Sequence, residues 1–171
     1  MTLLAILRHA KSSWDDSALD DFDRPLNDRG RKAARRVGRE MKARGMRFDQ
    51  VLASPAARVR ETLDEVARGY GGELDVRFDD ALYGASAETL LGFVRAIPGK
   101  AHAPLLVGHD PGLHQLVLRL TRDDGAKLRG RIAAKFPTGA LAMIALDATR
   151  WDEVEPGSGE IRELILPRDL E

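Results

Sequence analysis

His9 and His109 are the residues of this chain best placed to do chemistry, because each follows a short apolar run. Leu3 to Leu7 leads through Arg8 into the first, and Pro104 to Val107 leads through Gly108 into the second. Such runs read as buried strands. Taken alone, a histidine at a strand end is most often a satisfied polar residue, but the neighbours change the weighing. Arg8 adjoins His9. Arg58 lies one helical turn after Ser54-Pro55, a cap residue followed by proline that reads as a helix start. Residues four apart share a helix face, so Arg58 can reach the mouth that Ser54 opens, although as a lone arginine it would read as a solvated surface group. His109 precedes Asp110-Pro111, a second such start, and free N–H groups at a helix N-terminus favour an anion. Two histidines, two arginines and two helix starts suit a dianionic phosphoryl group. Arginine presents a planar fork of donors to phosphate oxygens. A neutral imidazole is a competent nucleophile. Nearby arginines disfavour imidazolium, which keeps His9 unprotonated near neutral pH, and they stabilise charge on a transferring phosphoryl group.

The elements that must bring these residues together are legible as alternating strand and helix signals. After the first strand, Lys11 to Arg24 is a polar, aspartate-rich stretch that reads as a long loop, the kind that often carries function. Asn27 or Asp28 then caps a helix along Ala33, Ala34, Val37 and Met41, with Gly45 as its stop. Gln50 to Ala53 is a second strand. The helix that Ser54 opens runs along Val59, Leu63, Val66 and Tyr70, and Gly69, Gly71 and Gly72 are expected to end it. Leu74 to Phe78 alternates like a strand, Ser86 caps a third helix stopped by Pro98, and the helix after Asp110 buries Leu113, Leu116, Val117 and Leu120. Gly139 to Leu146 and Glu160 to Leu166 read as late strands around a turn-rich segment. This alternation predicts one α/β domain over 1–171, a three-layer sandwich with a mostly parallel central sheet and helices on both faces. Ligands bind such sheets beyond the carboxyl ends of the strands, where Arg8, His9, Ser54 and His109 fall.

At this point the chain resembles a family. Leu7-Arg8-His9-Ala10 is similar to the Arg-His-Gly signature of the histidine phosphatase superfamily, the phosphoglycerate-mutase-like fold. Ser54-Pro55-Ala56-Ala57-Arg58 with Glu61-Thr62 resembles its second motif, and Val107-Gly108-His109 its third. The short length and Asp23-Arg24-Pro25-Leu26 resemble the SixA-type phosphohistidine phosphatase branch. The resemblance implies that His9 is the phosphorylated nucleophile, that Arg8, Arg24 and Arg58 bind the phosphoryl oxygens and that His109 completes the pocket. Two positions depart from the pattern. Ala10 replaces the usual glycine, a change that is tolerated unless that position needs positive φ. Leu82-Tyr83-Gly84 offers no carboxylate where many relatives carry a catalytic glutamate, and Glu88 falls inside a helix. Asp15, Asp16, Asp20, Asp21 and Asp23 are the candidate acids on the loop. A site without a strong acid matches a P–N bond: an alkoxide needs a proton donor, whereas imidazole, with a pKa of about 6.5, departs readily once protonated on its other nitrogen.

Composition narrows the alternatives. Basic and acidic residues balance at 27 each, which gives no sign of a nucleic-acid or membrane partner. Cysteine is absent, which removes disulfides, thiol nucleophiles and thiolate metal sites. The four histidines show no close metal-ligand spacing, so no metal and no cofactor are expected. With no signal peptide and no long apolar run, the expected location is the cytoplasm. The expected activity is a metal-independent phosphatase that works through a phosphohistidine intermediate on His9 and acts on phosphohistidine in proteins, with small phosphomonoesters such as sugar or nucleotide phosphates as the alternative. A mutase fits a longer chain better, and a non-catalytic phosphate-binding module would need neither histidine. The loop after His9 is expected to leave a shallow, exposed site, with Arg24 reaching the phosphoryl group and Trp14 near the rim.

Overall fold

The computed structural model describes residues 2–171. Its centre is a six-stranded sheet in the order β3-β2-β4-β1-β5-β6. The strands are β1 (Thr2–Arg8), β2 (Gln50–Ala53), β3 (Val76–Phe78), β4 (Pro104–Gly108), β5 (Leu141–Leu146) and β6 (Gly159–Ile165). β1, β4, β2 and β3 run parallel, while β5 is antiparallel to both β1 and β6. The sheet is therefore mixed, and the direction of its last two strands is the part that periodicity does not carry.

β1 shows why the interior strands are apolar without alternation. Leu4 and Ile6 face one side and Ala5 and Leu7 the other, and all four are essentially inaccessible because helices cover both faces. Burying each of the larger side chains contributes about 2 kcal/mol. On one face lie α1 (Asp28–Ala43) and α2 (Ala57–Tyr70); on the other lie α3 (Ala87–Arg95), α4 (Gly112–Leu120) and α5 (Lys127–Ala134). The split follows from chain direction. The path β1-α1-β2-α2-β3 moves along the sheet one way, and α3 returns it to β4, so right-handed crossovers put α3 on the opposite face.

Some local expectations are corrected. Ser54 does not cap α2: Ala56 is the N-cap, and the helix starts at Ala57. Gly69 lies inside α2 rather than ending it, and the chain leaves the helix at Gly71 in a left-handed conformation. Gly69 is used for close approach: a Cβ there would lie 2.0 Å from the Arg35 carbonyl oxygen of α1. Asn27 does cap α1, accepting from Gly30 N at 2.8 Å, and Ser86 caps α3. The α4 helix begins at Gly112, with Asp110 accepting from His114 N instead of capping the first turn. α5 carried no clear sequence signal: it buries a single residue, Ile132.

Candidate active site

Backbone register alone brings the two histidines together. Arg8 of β1 pairs with Gly108 of β4, so the next residues, His9 and His109, leave adjacent parallel strands side by side. Their ring centroids are 5.3 Å apart, close to the spacing of the strands themselves. On the other side of β4, Ala53 of β2 pairs with Val107, and Ser54 N donates to Val107 O at 3.1 Å. This places the Ser54 hydroxyl 2.8 Å from His109 Nε2. Freed from capping α2, Ser54 orients a histidine.

His9 is oriented by its own chain. Its Nδ1 lies 2.7 Å from the Ala10 carbonyl oxygen, which can only accept, so Nδ1 carries the proton and Nε2 keeps its lone pair. Ala10 N in turn donates to Thr62 Oγ1 at 2.9 Å, and Thr62 donates to the Arg58 carbonyl at 2.6 Å. One buried threonine thus ties the nucleophile loop to the first turn of α2. Ala10 has no positive φ, so alanine sits at this position without backbone strain. Burial is the largest cause of a His9 pKa lowered to about 3, with His109, Arg58 and Arg8 adding to it against the Ala10 hydrogen bond. His109 is lowered to about 4, again chiefly by burial and then by Arg58. Both rings are neutral at physiological pH. The arginines contribute, but desolvation does more.

Arg8 donates from Nη1 to Phe136 O at 3.0 Å and lies 3.4 Å from Asp110 Oδ2. Arg58 donates from Nη1 to Asp21 O at 2.7 Å and from Nη2 to Asp21 Oδ2 at 3.1 Å. Arg24 comes from the end of the long loop. It is buried, with its Nε and Nη2 on Asp21 Oδ1 and its Nη1 on Ser12 Oγ at 2.7 Å. Its guanidinium carbon stacks 3.6 Å from the centroid of Trp14, which is 76% exposed. The five residues singled out by sequence therefore gather at one edge of the sheet, Arg24 through Asp21 and the other four directly. Three nitrogens of this group, Arg8 Nε, Arg58 Nε and His109 Nδ1, are buried without a hydrogen-bond partner among the described residues.

Asp21 is the residue that sequence could not choose. Of the five loop aspartates it alone bridges Arg24, Arg58 and Tyr83, whose hydroxyl donates to its carboxylate. That hydrogen bond is the largest cause of an Asp21 pKa lowered to about 2, followed by Arg24 and Arg58. Tyr83 occupies the segment where a glutamate was missing. It supplies a hydroxyl that holds a carboxylate from 62 residues away, and its ring packs on His109 and Phe22. The expected shallow, exposed site is corrected accordingly: His9, His109, Arg24 and Arg58 are each less than a tenth exposed, and the exposed groups are the loop residues around them, Trp14, Asp21 and Phe22. No group of His, Cys, Asp and Glu able to hold a metal occurs among the described residues. No described helix is long and apolar enough to cross a membrane.

A neutral histidine with a free ring nitrogen, set among arginines at the carboxyl edge of a parallel sheet, defines a phosphoryl-transfer enzyme of the α/β class. The chain belongs to the histidine phosphatase superfamily, branch 1, whose family model matches residues 4–103. It is a phosphatase by that membership. Among curated proteins it is 34% identical to the uncharacterized protein Rv1276c of Mycobacterium tuberculosis, over 95% of this chain and all of the relative. Among solved structures it is similar to proteins named SixA, a phosphohistidine phosphatase, from Agrobacterium tumefaciens and Nakamurella multipartitia. The first has a TM-score of 0.81 at 29% identity and covers 97% of this chain and 98% of that one. The second has a TM-score of 0.83 at 28% identity and covers 97% and 96%.

Proposed function

We propose that the protein removes phosphoryl groups from phosphohistidine in proteins, with His9 as the nucleophile. The observation that carries this reading is the His9 ring: Nδ1–H is committed to Ala10 O, and Nε2 is left as an unprotonated lone pair beside Arg8, Arg58 and His109. His9 Nε2 attacks phosphorus, the bond from phosphorus to the substrate nitrogen breaks, and the electron pair leaves on the substrate imidazole. Water then attacks the His9 phosphoramidate, releasing inorganic phosphate and restoring His9. Arg8 and Arg58 hold the equatorial oxygens through both steps, and Arg24 joins them when Asp21 yields its donors. Buried unpaired donors such as His109 Nδ1 are costly, and an acceptor-rich phosphoryl group relieves that cost. With Ser54 donating to His109 Nε2, the Nδ1–H is a donor for the same group.

Asp21 fits the P–N assignment. In the resting site it is held ionised by Tyr83 and two arginines, so it has no proton to give near neutrality. A phosphoryl dianion that takes the arginine donors removes part of that stabilisation and adds a like charge, which raises the carboxyl toward proton-holding range. An imidazole leaving group needs little of this help, and an alkoxide needs all of it.

The test is a hydrolysis panel with chelator present throughout, comparing a phosphohistidine-bearing protein with sugar and nucleotide monophosphates. The proposal predicts the highest kcat/KM on the phosphohistidine protein, unchanged by EDTA. Preference for one small phosphomonoester would move the assignment to metabolite hydrolysis, and metal-restored activity would overturn the mechanism.

A further inference from the structure

Beside the catalytic edge runs a groove of about 760 Å³ that the phosphoryl chemistry does not use. One wall is α1 with Lys11, which follows Ala10 in the chain; the other is the end of α5, the approach to β5 and the segment after β6. Lys11, Arg29, Lys32, Arg36 and Lys135 line it, and none has a carboxylate within 4.0 Å among the described residues. Arg131 on the far wall is already paired with Asp169 at 3.0 Å. Glu171 is the single acid in the lining of a protein whose overall charge is zero, so the concentration is local. No aromatic side chain lines the groove.

The groove is fixed relative to the nucleophile. Asn27 N donates to Lys11 O at 3.0 Å, and a Cβ on Gly30 would lie 2.1 Å from the same oxygen, so the start of α1 is pressed onto the backbone that leaves His9. On the other wall, Gly139 N, next to the lining residue Thr138, donates to His9 O at 2.9 Å. Arg29, Lys32 and Arg36 recur along one face of α1 over about 10 Å, a length that three or four residues of extended chain match.

We infer that this groove docks an acidic segment of the phosphoprotein substrate and so positions its phosphohistidine over His9. The inference rests on the reading of the substrate as a protein. Charge complementarity selects the occupant: several unpaired cations attract carboxylates and speed encounter at low salt. A single-stranded nucleic acid would call for stacking platforms, which the lining lacks.

The experiment has a binding arm and a turnover arm. In the first, a fluorescent peptide alternating Glu and Gly is titrated with the full chain, with Lys32→Glu/Arg36→Glu and with the milder Lys32→Gln/Arg36→Gln. The expected result is salt-sensitive binding that weakens roughly tenfold on charge reversal, less on neutralisation. In the second, kcat/KM on an acidic phosphohistidine protein should fall roughly tenfold in the reversal variant, while hydrolysis of free phosphoramidate is unchanged. That unchanged turnover also shows that the variant is folded, and the Gln pair serves if it is not. Equal peptide binding by wild type and both variants, or no binding, overturns the docking site. Tight binding of homopolymeric RNA with no competition from the peptide overturns it in favour of a nucleic acid. If peptide binding behaves as expected but no phosphohistidine protein is hydrolysed, the substrate assignment fails and the groove stands. If the protein is hydrolysed equally by all forms, the groove fails and the assignment stands.

Discussion

The floor of the site and its cover are held by different forces. Arg8, His9 and His109 are fixed by strand register, and Arg58 by the Ala10–Thr62–Arg58 chain, with each contact buried. The cover is the Lys11–Arg24 loop: its two ends are tied by backbone bonds from Ser13 to Pro25 and from Asn27 to Lys11, while its middle rests on bonds that converge on Asp21, whose side chain is half exposed. Backbone register cannot shift without breaking the sheet. Ion pairs to a half-exposed carboxylate can exchange partners when another anion enters. The floor is therefore suited to invariant phosphoryl chemistry, and the cover to answering what enters.

Substitutions should separate the two regions by size of effect. In the floor, His9→Ala should lower turnover roughly a thousandfold or more in steady-state assays, because the covalent step is lost. Arg58→Ala and Arg8→Ala should each cost about 3 kcal/mol of transition-state stabilisation, roughly a hundredfold in kcat/KM. Lysine at either position should rescue only part, since it lacks the fork. In the cover, Asp21→Asn should depend on the leaving group. Turnover of a phosphoamide should change by less than about tenfold, whereas an aliphatic phosphomonoester should lose roughly a hundredfold. Equal losses on both substrates would erase the distinction between floor and cover. Trp14→Ala removes an exposed cation–π contact with Arg24 worth about 0.5–1 kcal/mol, so it should shift substrate preference with little change in kcat on phosphoramidate.

The same contrast governs pH. His9 and His109 titrate near 3 and 4 in the folded protein, against about 6.5 unfolded. Below pH 6.5 the unfolded chain binds the extra protons, so stability is full above about 6.5 and falls as pH drops toward 3. Thermal denaturation from pH 7 to 4 should show this fall, and His9→Gln/His109→Gln should flatten it. The ring C–H resonances of His9 should stay constant between pH 8 and 5; a midpoint near 6.5 would show a solvated ring.

Much of the floor was legible because it rests on local patterns. Apolar runs ending in Arg8-His9 and Gly108-His109 mark strand ends, and the layer rule assigns those ends to the ligand edge. Ser54-Pro55 was misread for a physical reason: the cap signature is local, but the Ser54 hydroxyl is claimed by His109 across the sheet. α5 was missed because a helix that buries only Ile132 shows almost no apolar face. The choice of Asp21 among five loop aspartates was illegible, since it is made by Tyr83, Arg24 and Arg58 only once the chain has folded.

Trapping the intermediate tests the central claim most directly. The enzyme is mixed with a phosphohistidine protein or phosphoramidate, quenched rapidly in base and mapped by mass spectrometry. The account predicts an acid-labile, base-stable phosphoryl group on His9, absent from His9→Ala and accumulating when the water step is slowed. A phosphoryl group on another residue, or undiminished turnover by His9→Ala, would contradict it.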